Sequence, residues 1–255
     1  QQRLTDEKPE QRDAMAQTLM RLEKARVFRE RITEKGLVVA LDGITTCVRF
    51  SPDDDRLAAG QGSAGAGAFV FDSYTGEKLH TLWPPGNKGI TKVQSLSFSH
   101  DGETLGAVCA DNAGVRLWYF RDGKTTSLPP VPGVFRGLDV VFSPTNRNLV
   151  ASFEPFGDGR GRPYLKAWNI DTGLEAFAFK AEHSAKVPSV AYCAGGQQVA
   201  TGCQDKRVIF WNAETGRIWR EIKTGISVQA IASASDGKTL AAYQSPDEAI
   251  DEALA

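Results

Sequence analysis

A short motif returns along this chain at a nearly fixed interval. Phe50-Ser51-Pro52-Asp53 is followed by Phe98-Ser99-His100-Asp101-Gly102 and Phe142-Ser143-Pro144, with weaker copies at Tyr192-Cys193-Ala194-Gly195-Gly196 and Ser233-Ala234-Ser235-Asp236-Gly237. Successive copies begin 41 to 50 residues apart. A second marker keeps the same step at Phe71-Asp72, Trp118-Tyr119, Trp168-Asn169 and Trp211-Asn212. Two independent markers with one period define a repeat architecture, in which each unit buries its apolar face against the next.

Within one period the pattern is that of strands. Val187, Val190 and Tyr192 mark a short apolar run that ends at Gly195-Gly196. Gln198 to Thr201, Arg207 to Trp211 and Ile218 to Ile222 follow, separated by the turns Gln204-Asp205-Lys206 and Glu214-Thr215-Gly216. Four strands of about five residues joined by Gly- and Asp-rich turns, recurring every 40 to 50 residues, predict the antiparallel blade of a β-propeller.

These residues resemble the WD40-repeat family. The best copy runs from His183 through Thr201-Gly202-Cys203-Gln204-Asp205 to Val208-Ile209-Phe210-Trp211-Asn212. The resemblance implies a buried structural relay of His183, Thr201, Asp205 and Trp211, since a buried imidazole, carboxylate and indole each need a partner. The other repeats depart from it: Phe71 stands where Trp would, and no matching His precedes the Phe50, Phe98 or Phe142 copies. The fold expected is all-β, a WD40-like β-propeller over 36–244 with four complete blades and a partial fifth. The units fall at about 43–90, 91–133, 134–184 and 185–226. Gly36 to Leu41 matches an outer strand, so a ring of five closed by an N-terminal strand and a fragment of a larger ring both stay open.

Residues 1–35 read differently. Met15, Leu19, Leu22, Ala25, Phe28 and Ile32 recur at helical spacing, which predicts an N-terminal amphipathic α-helix packed on the propeller or docking a partner. Residues 245–255 are expected to be a C-terminal tail. The chain does not begin with Met, so a piece of a longer polypeptide is one expectation. With 30 Lys+Arg against 31 Asp+Glu it offers no broadly basic coat, which makes nucleic acid an improbable partner. No apolar run approaches the roughly 20 residues of a membrane span. Four scattered cysteines (Cys47, Cys109, Cys193, Cys203) without a Cys-x-x-Cys pair suit buried thiols in the cytoplasm or another reducing intracellular compartment.

Little in the chain points to catalysis. Gly60-x-Gly62-x-x-Gly65 has dinucleotide-fingerprint spacing, but a strand-like run, Ala68 to Phe71, follows where that motif needs a helix. The three histidines form no ligand cluster, and no nucleophile elbow or phosphate loop occurs. No catalytic residue, metal or cofactor is therefore expected. The long irregular pieces near Gly62–Gly67, Trp83–Gly89, Pro129–Gly137 and Pro155–Pro163 fall on one face of the blades. They carry Trp83, Phe135, Arg136, Phe156, Arg160 and Arg162, residue types that dominate protein–protein contacts. The function expected is a non-catalytic interaction or scaffold module for protein partners. Two alternatives are a regulatory or sensor region of a larger signalling protein, and a propeller enzyme.

Overall fold

The computed structural model describes residues 44–62, 67–82, 92–110, 112–132, 134–155, 164–179, 183–234 and 237–244, and among these the only helical element is a short 3-10 turn at Ala194–Gly196. The N-terminal helix expected over 1–35, the strand expected at Gly36–Leu41 and the tail at 245–255 lie outside the described residues.

The strands form consecutive antiparallel sheets, each with its strands in chain order. Blade one comprises β1 (Thr45–Phe50), β2 (Arg56–Gln61), β3 (Ala68–Asp72) and β4 (Lys78–Leu82). Blade two comprises β5 (Val93–Phe98), β6 (Thr104–Cys109), β7 (Asn112–Tyr119) and β8 (Thr125–Ser127). Blade three has β9 (Val134–Phe142), β10 (Asn148–Pro155) and β11 (Tyr164–Asn169). Blade four has β12 (Ser189–Cys193), β13 (Gln198–Cys203), β14 (Arg207–Asn212) and β15 (Ile218–Lys223), and blade five β16 (Val228–Ser233) and β17 (Leu240–Gln244).

Both sequence markers are turn chemistry. In the first, Ser51 Oγ donates to Asp53 Oδ1 at 2.5 Å and accepts the Arg56 N–H at 2.9 Å; Ser99, Asp101 and Thr104 repeat this at 2.5 and 2.9 Å. In the second, the residue after the aromatic caps the turn to the fourth strand. Asp72 Oδ1 accepts the N–H groups of Tyr74 and Thr75, and Asn212 Oδ1 those of Glu214 and Thr215. Such Asx turns fix the backbone locally, so the markers recur wherever the blade does.

Blade three departs from the four-strand pattern. After β11 the chain makes only an isolated bridge, Trp168 to Glu175. Phe177 and Phe179 then turn inward, Phe179 meeting the Trp211 ring edge-on at 5.1 Å and Phe177 meeting Phe179 at 5.2 Å. Seam packing against blade four thus replaces the ladder a fourth strand would form. A second correction concerns Phe135 and Arg136. Both lie in β9, the innermost strand of blade three, because β9 runs on past a bulge to pair Arg136 with Glu154.

The core sits between blades. Among the described residues, apolar clusters fill the successive seams, from Leu82, Val93 and Leu96 between blades one and two to Ala200, Val208, Val228 and Ile231 between four and five. The innermost strand of one blade approaches the second strand of the blade before it closely, because a missing side chain on one meets a branched one on the other. A Cβ added at Gly60 would lie 2.7 Å from Val93 Cγ1, and one at Gly202 2.7 Å from Val228 Cγ1. Between blades two and three the roles reverse, with Gly137 facing Val108. Gly137→Ala would place its methyl 2.4 Å from Val108 Cβ. It is expected to lower stability by about 1–3 kcal/mol in urea unfolding, because the overlap can be relieved only by moving β9 off β6.

Candidate functional site

The densest polar cluster joins the link entering β12 to the two strands that follow it. Trp211 Nε1 donates to Thr201 Oγ1 at 2.8 Å, His183 Nε2 lies 2.8 Å from the same hydroxyl, and His183 Nδ1 lies 3.0 Å from Asp205 Oδ2. His183, Thr201 and Trp211 are buried, as is the side chain of Asp205. Asp205 Oδ2 also accepts Arg207 Nη2 at 2.6 Å and the Ser184 N–H at 3.0 Å. Facing an ionised carboxylate, Nδ1 must carry the imidazole proton, which leaves Nε2 to accept from Thr201 while Thr201 accepts from the indole. With the proton on Nδ1 alone, the donors run one way, Trp211 to Thr201 to His183 to Asp205. The Ile209 carbonyl, 3.2 Å from Thr201 Oγ1, is the more distant of the two acceptors open to that hydroxyl.

Burial alone would raise the Asp205 pKa. Hydrogen bonds from His183 and Arg207 outweigh it and hold the carboxyl well below its ordinary 3.8. The unfolded chain therefore binds this proton first as pH drops. The stability Asp205 lends is complete above its unfolded value and is lost as pH falls toward the folded one. Asp205→Asn is expected to flatten the decline of unfolding free energy below about pH 4, read by urea titrations across that range.

His183, Cys203 and Asp205 bring three potential ligand atoms within 4.8 Å of one another. The set does not fit a transition-metal site. Both imidazole nitrogens are engaged within the protein, and burial pushes the Cys203 thiol up to about 12, so it stays protonated. Its Sγ donates to the Ala185 carbonyl at 3.1 Å and accepts the Asp205 N–H at 3.3 Å.

Strand register shows why the other blades lack this network. Ala59, Ala107 and Ala151 occupy the place of Thr201, and Phe71, Trp118 and Trp168 that of Trp211. Trp118 Nε1 and Trp168 Nε1 are consequently buried with no hydrogen bond to any described residue. Trp211→Phe and Trp168→Phe remove the same ring, but only the former breaks a hydrogen bond. Trp211→Phe is expected to cost about 1–2 kcal/mol more than Trp168→Phe in chemical unfolding.

A polar residue not singled out from sequence lies deeper. Asp139 on β9 is buried, and its Oδ1 accepts Ser95 Oγ of blade two at 2.6 Å while its Oδ2 accepts the Val190 N–H of blade four at 2.9 Å. Thr46 similarly donates to the Val93 carbonyl, and Ser189 Oγ accepts the Ile231 N–H at 3.2 Å. Side chains thus stitch β1, β5, β9, β12 and β16 in series. Only an alternation break in the run Leu138-Asp139-Val140 hinted at the carboxylate.

Of the residues expected on the loop face, Trp83, Phe156, Arg160 and Arg162 lie outside the described residues, and Phe135 falls within β9. Arg136 pairs through Nε with Glu154, whose other oxygen meets Lys186 Nζ of the blade-four link at 3.4 Å. The glycine motif near Gly60 is followed by strand β3, not a helix.

The WD domain, G-beta repeat family model matches residues 177–212, a stretch holding all four relay residues. Over 185 residues, 67% of this chain and 26% of the relative, the sequence is 26% identical to WD repeat-containing protein 1 of Xenopus tropicalis. It is 29% identical to Protein Atg16l2 of Homo sapiens over 47% of this chain and 19% of that protein. It is 26% identical to WD repeat-containing protein 55 of Danio rerio over 59% of this chain and 36% of that protein. Among solved structures, the Cps50 (Swd1) β-propeller domain of Myceliophteria thermophila aligns with a TM-score of 0.61 at 21% identity, covering 80% of this chain and 64% of that one. Residues 177–212 thus match a WD40 repeat, and the chain shares the β-propeller fold. The aligned stretches span only 19% to 36% of the length of these curated relatives. Among the described residues, no helix is long and apolar enough to cross a membrane.

Proposed function

We propose that this WD40 array is a non-catalytic module that binds protein partners on the face carrying the second-to-third strand turns and the blade-to-blade links. One observation supports this most: both imidazole nitrogens of His183, the Cys203 thiol and Asp205 Oδ2, which converge in blade four, are engaged in hydrogen bonds there. The same chemistry that could have made a reactive centre fixes the shape of the link entering β12 instead. On that face Arg136, Glu154 and Lys186 form a partly exposed charge cluster bridging blades three and four. Trp83, Phe135, Phe156, Arg160 and Arg162 belong to the same proposed surface by sequence. Balanced charge, 30 basic against 31 acidic residues, favours a protein over nucleic acid. Four free cysteines, three of them buried, fit a reducing compartment.

The test is affinity capture from cells that make the protein, comparing the native chain with the double charge reversal Arg136→Glu, Lys186→Glu. Loss of the retained partners by tenfold or more, with an unchanged melting temperature, supports the reading. An identical set of partners on both baits refutes it. A second reading, a regulatory region within a larger signalling protein, draws on the small share of its relatives that this chain covers. Joint purification with a catalytic domain on the same polypeptide would favour it.

A further inference from the structure

The opposite face, where the first-to-second and third-to-fourth strand turns lie, holds a different kind of feature. Each seam there is closed by residues at equivalent positions. Phe98, Phe142 and Tyr192 share one position, pairing with Leu105, Leu149 and Val199. Phe120, Ile170 and Ala213 share another, each donating its N–H to the turn carbonyl of Glu103, Arg147 or Gln197 at 2.9–3.0 Å.

Between blades one and two, the Arg56 guanidinium sits over the Phe120 ring at 4.7 Å and the Phe98 ring at 5.8 Å, plugging the seam. Between blades two and three, Phe142 and Ile170 are buried, and Arg147 bridges Asp101 at 2.8 Å and Asp171 at 3.2 Å. Between blades three and four every one of these closures is withdrawn. Asn148 replaces Arg56, Ala213 replaces Phe120 and Ile170, and Gln197 replaces Arg147. What remains is a cleft of about 510 Å³. Tyr192, where its counterparts are phenylalanines, lines it and buries a hydroxyl with no hydrogen bond to any described residue. A buried phenol ordinarily finds a partner, and leaving it without one is costly.

The lining sets the ligand chemistry. Asn146 Oδ1 accepts the Asn148 N–H at 2.9 Å, Asn148 Oδ1 accepts Asn169 Nδ2 at 3.4 Å, and Asn212 Oδ1 is taken by its own turn. Their carboxamide nitrogens remain as donors, and Glu214 supplies a carboxylate acceptor. Glu214 is the one charged group of the lining, so the cleft repels anions and offers an apolar ligand little. Alternating donors and acceptors in a cavity of small-ligand size match vicinal hydroxyls, which both give and take hydrogen bonds. We propose that the cleft between blades three and four binds a neutral polyol of pyranose size, held by the Asn146, Asn148 and Asn212 amides, the Glu214 carboxylate and the Tyr192 hydroxyl.

Saturation-transfer NMR on the full chain tests this, with glucose, galactose, mannose and N-acetylglucosamine as probes and glucose 6-phosphate as the anionic control. Transfer to at least one neutral sugar, exceeding that to the phosphate, is expected. Ala213→Phe inserts the side chain blade two already carries at this position and should abolish transfer while the circular dichroism spectrum is kept. Tyr192→Phe, which restores the residue of the other blades, should weaken affinity about three- to tenfold. Should Ala213→Phe fail to fold, Tyr192→Phe together with Glu214→Ala at the exposed rim carries the same test. A glycan array then separates a free sugar from the terminal residue of a glycan. Absence of transfer to all four sugars overturns the proposal. Equal transfer to the phosphate, or binding unaffected by the variants, overturns it as well.

Discussion

A four-stranded sheet of five- or six-residue strands has two faces and no means of covering either, so every blade here depends on the one beside it. The aromatic that closes each first strand shows the dependence. Phe98 and Phe142, with a blade on each side, are 7% and 5% exposed, whereas Phe50 on the first described blade is 57% exposed. The residue type is the same, and the neighbour makes the difference. Seam geometry follows: the innermost strand of one blade meets the second strand of the preceding one tightly enough that a glycine faces a valine, and the order of that pair can reverse.

What the sequence displays and what it conceals follow from locality. The periodic markers are legible because each is a turn closed by side chains two to five residues apart, Ser51 with Asp53 and Arg56, or Asn212 with Glu214 and Thr215. The strand boundaries of the fourth repeat could be placed nearly to the residue on the same grounds. Asp139 could not, because its partners Ser95 and Val190 stand 44 and 51 residues away in other blades. Phe135 and Arg136 looked like loop residues beside Pro129, Pro130 and Pro132; cross-strand pairing to Glu154 extends the strand through them. The missing fourth strand of blade three was equally hidden, since the rings of Phe177 and Phe179 are used in the next seam.

The repeats are alike in backbone and unlike in how they satisfy buried polar atoms. Blade four spends a histidine, a threonine and an aspartate to satisfy one indole, while blades two and three keep the indole and drop the acceptor, so the tryptophan survives there as bulk. The same divergence shapes the seams on the turn side. A cation over rings closes one, an arginine bridge closes another, and the third is left open and polar. Function in such an array is written in the exceptions to the repeat.

Asp139 makes the array less modular than its periodicity suggests. A repeat protein built by duplication should tolerate the loss or exchange of any unit, since each contacts only its neighbours. Here one buried carboxylate is shared between a serine of the preceding blade and a backbone N–H of the following one. Cutting the chain on either side of blade three would take one of these hydrogen-bond donors from the Asp139 carboxyl. Blades two to four therefore form a block that evolution or an engineer would have to move together, with freedom to add or exchange units left to the ends.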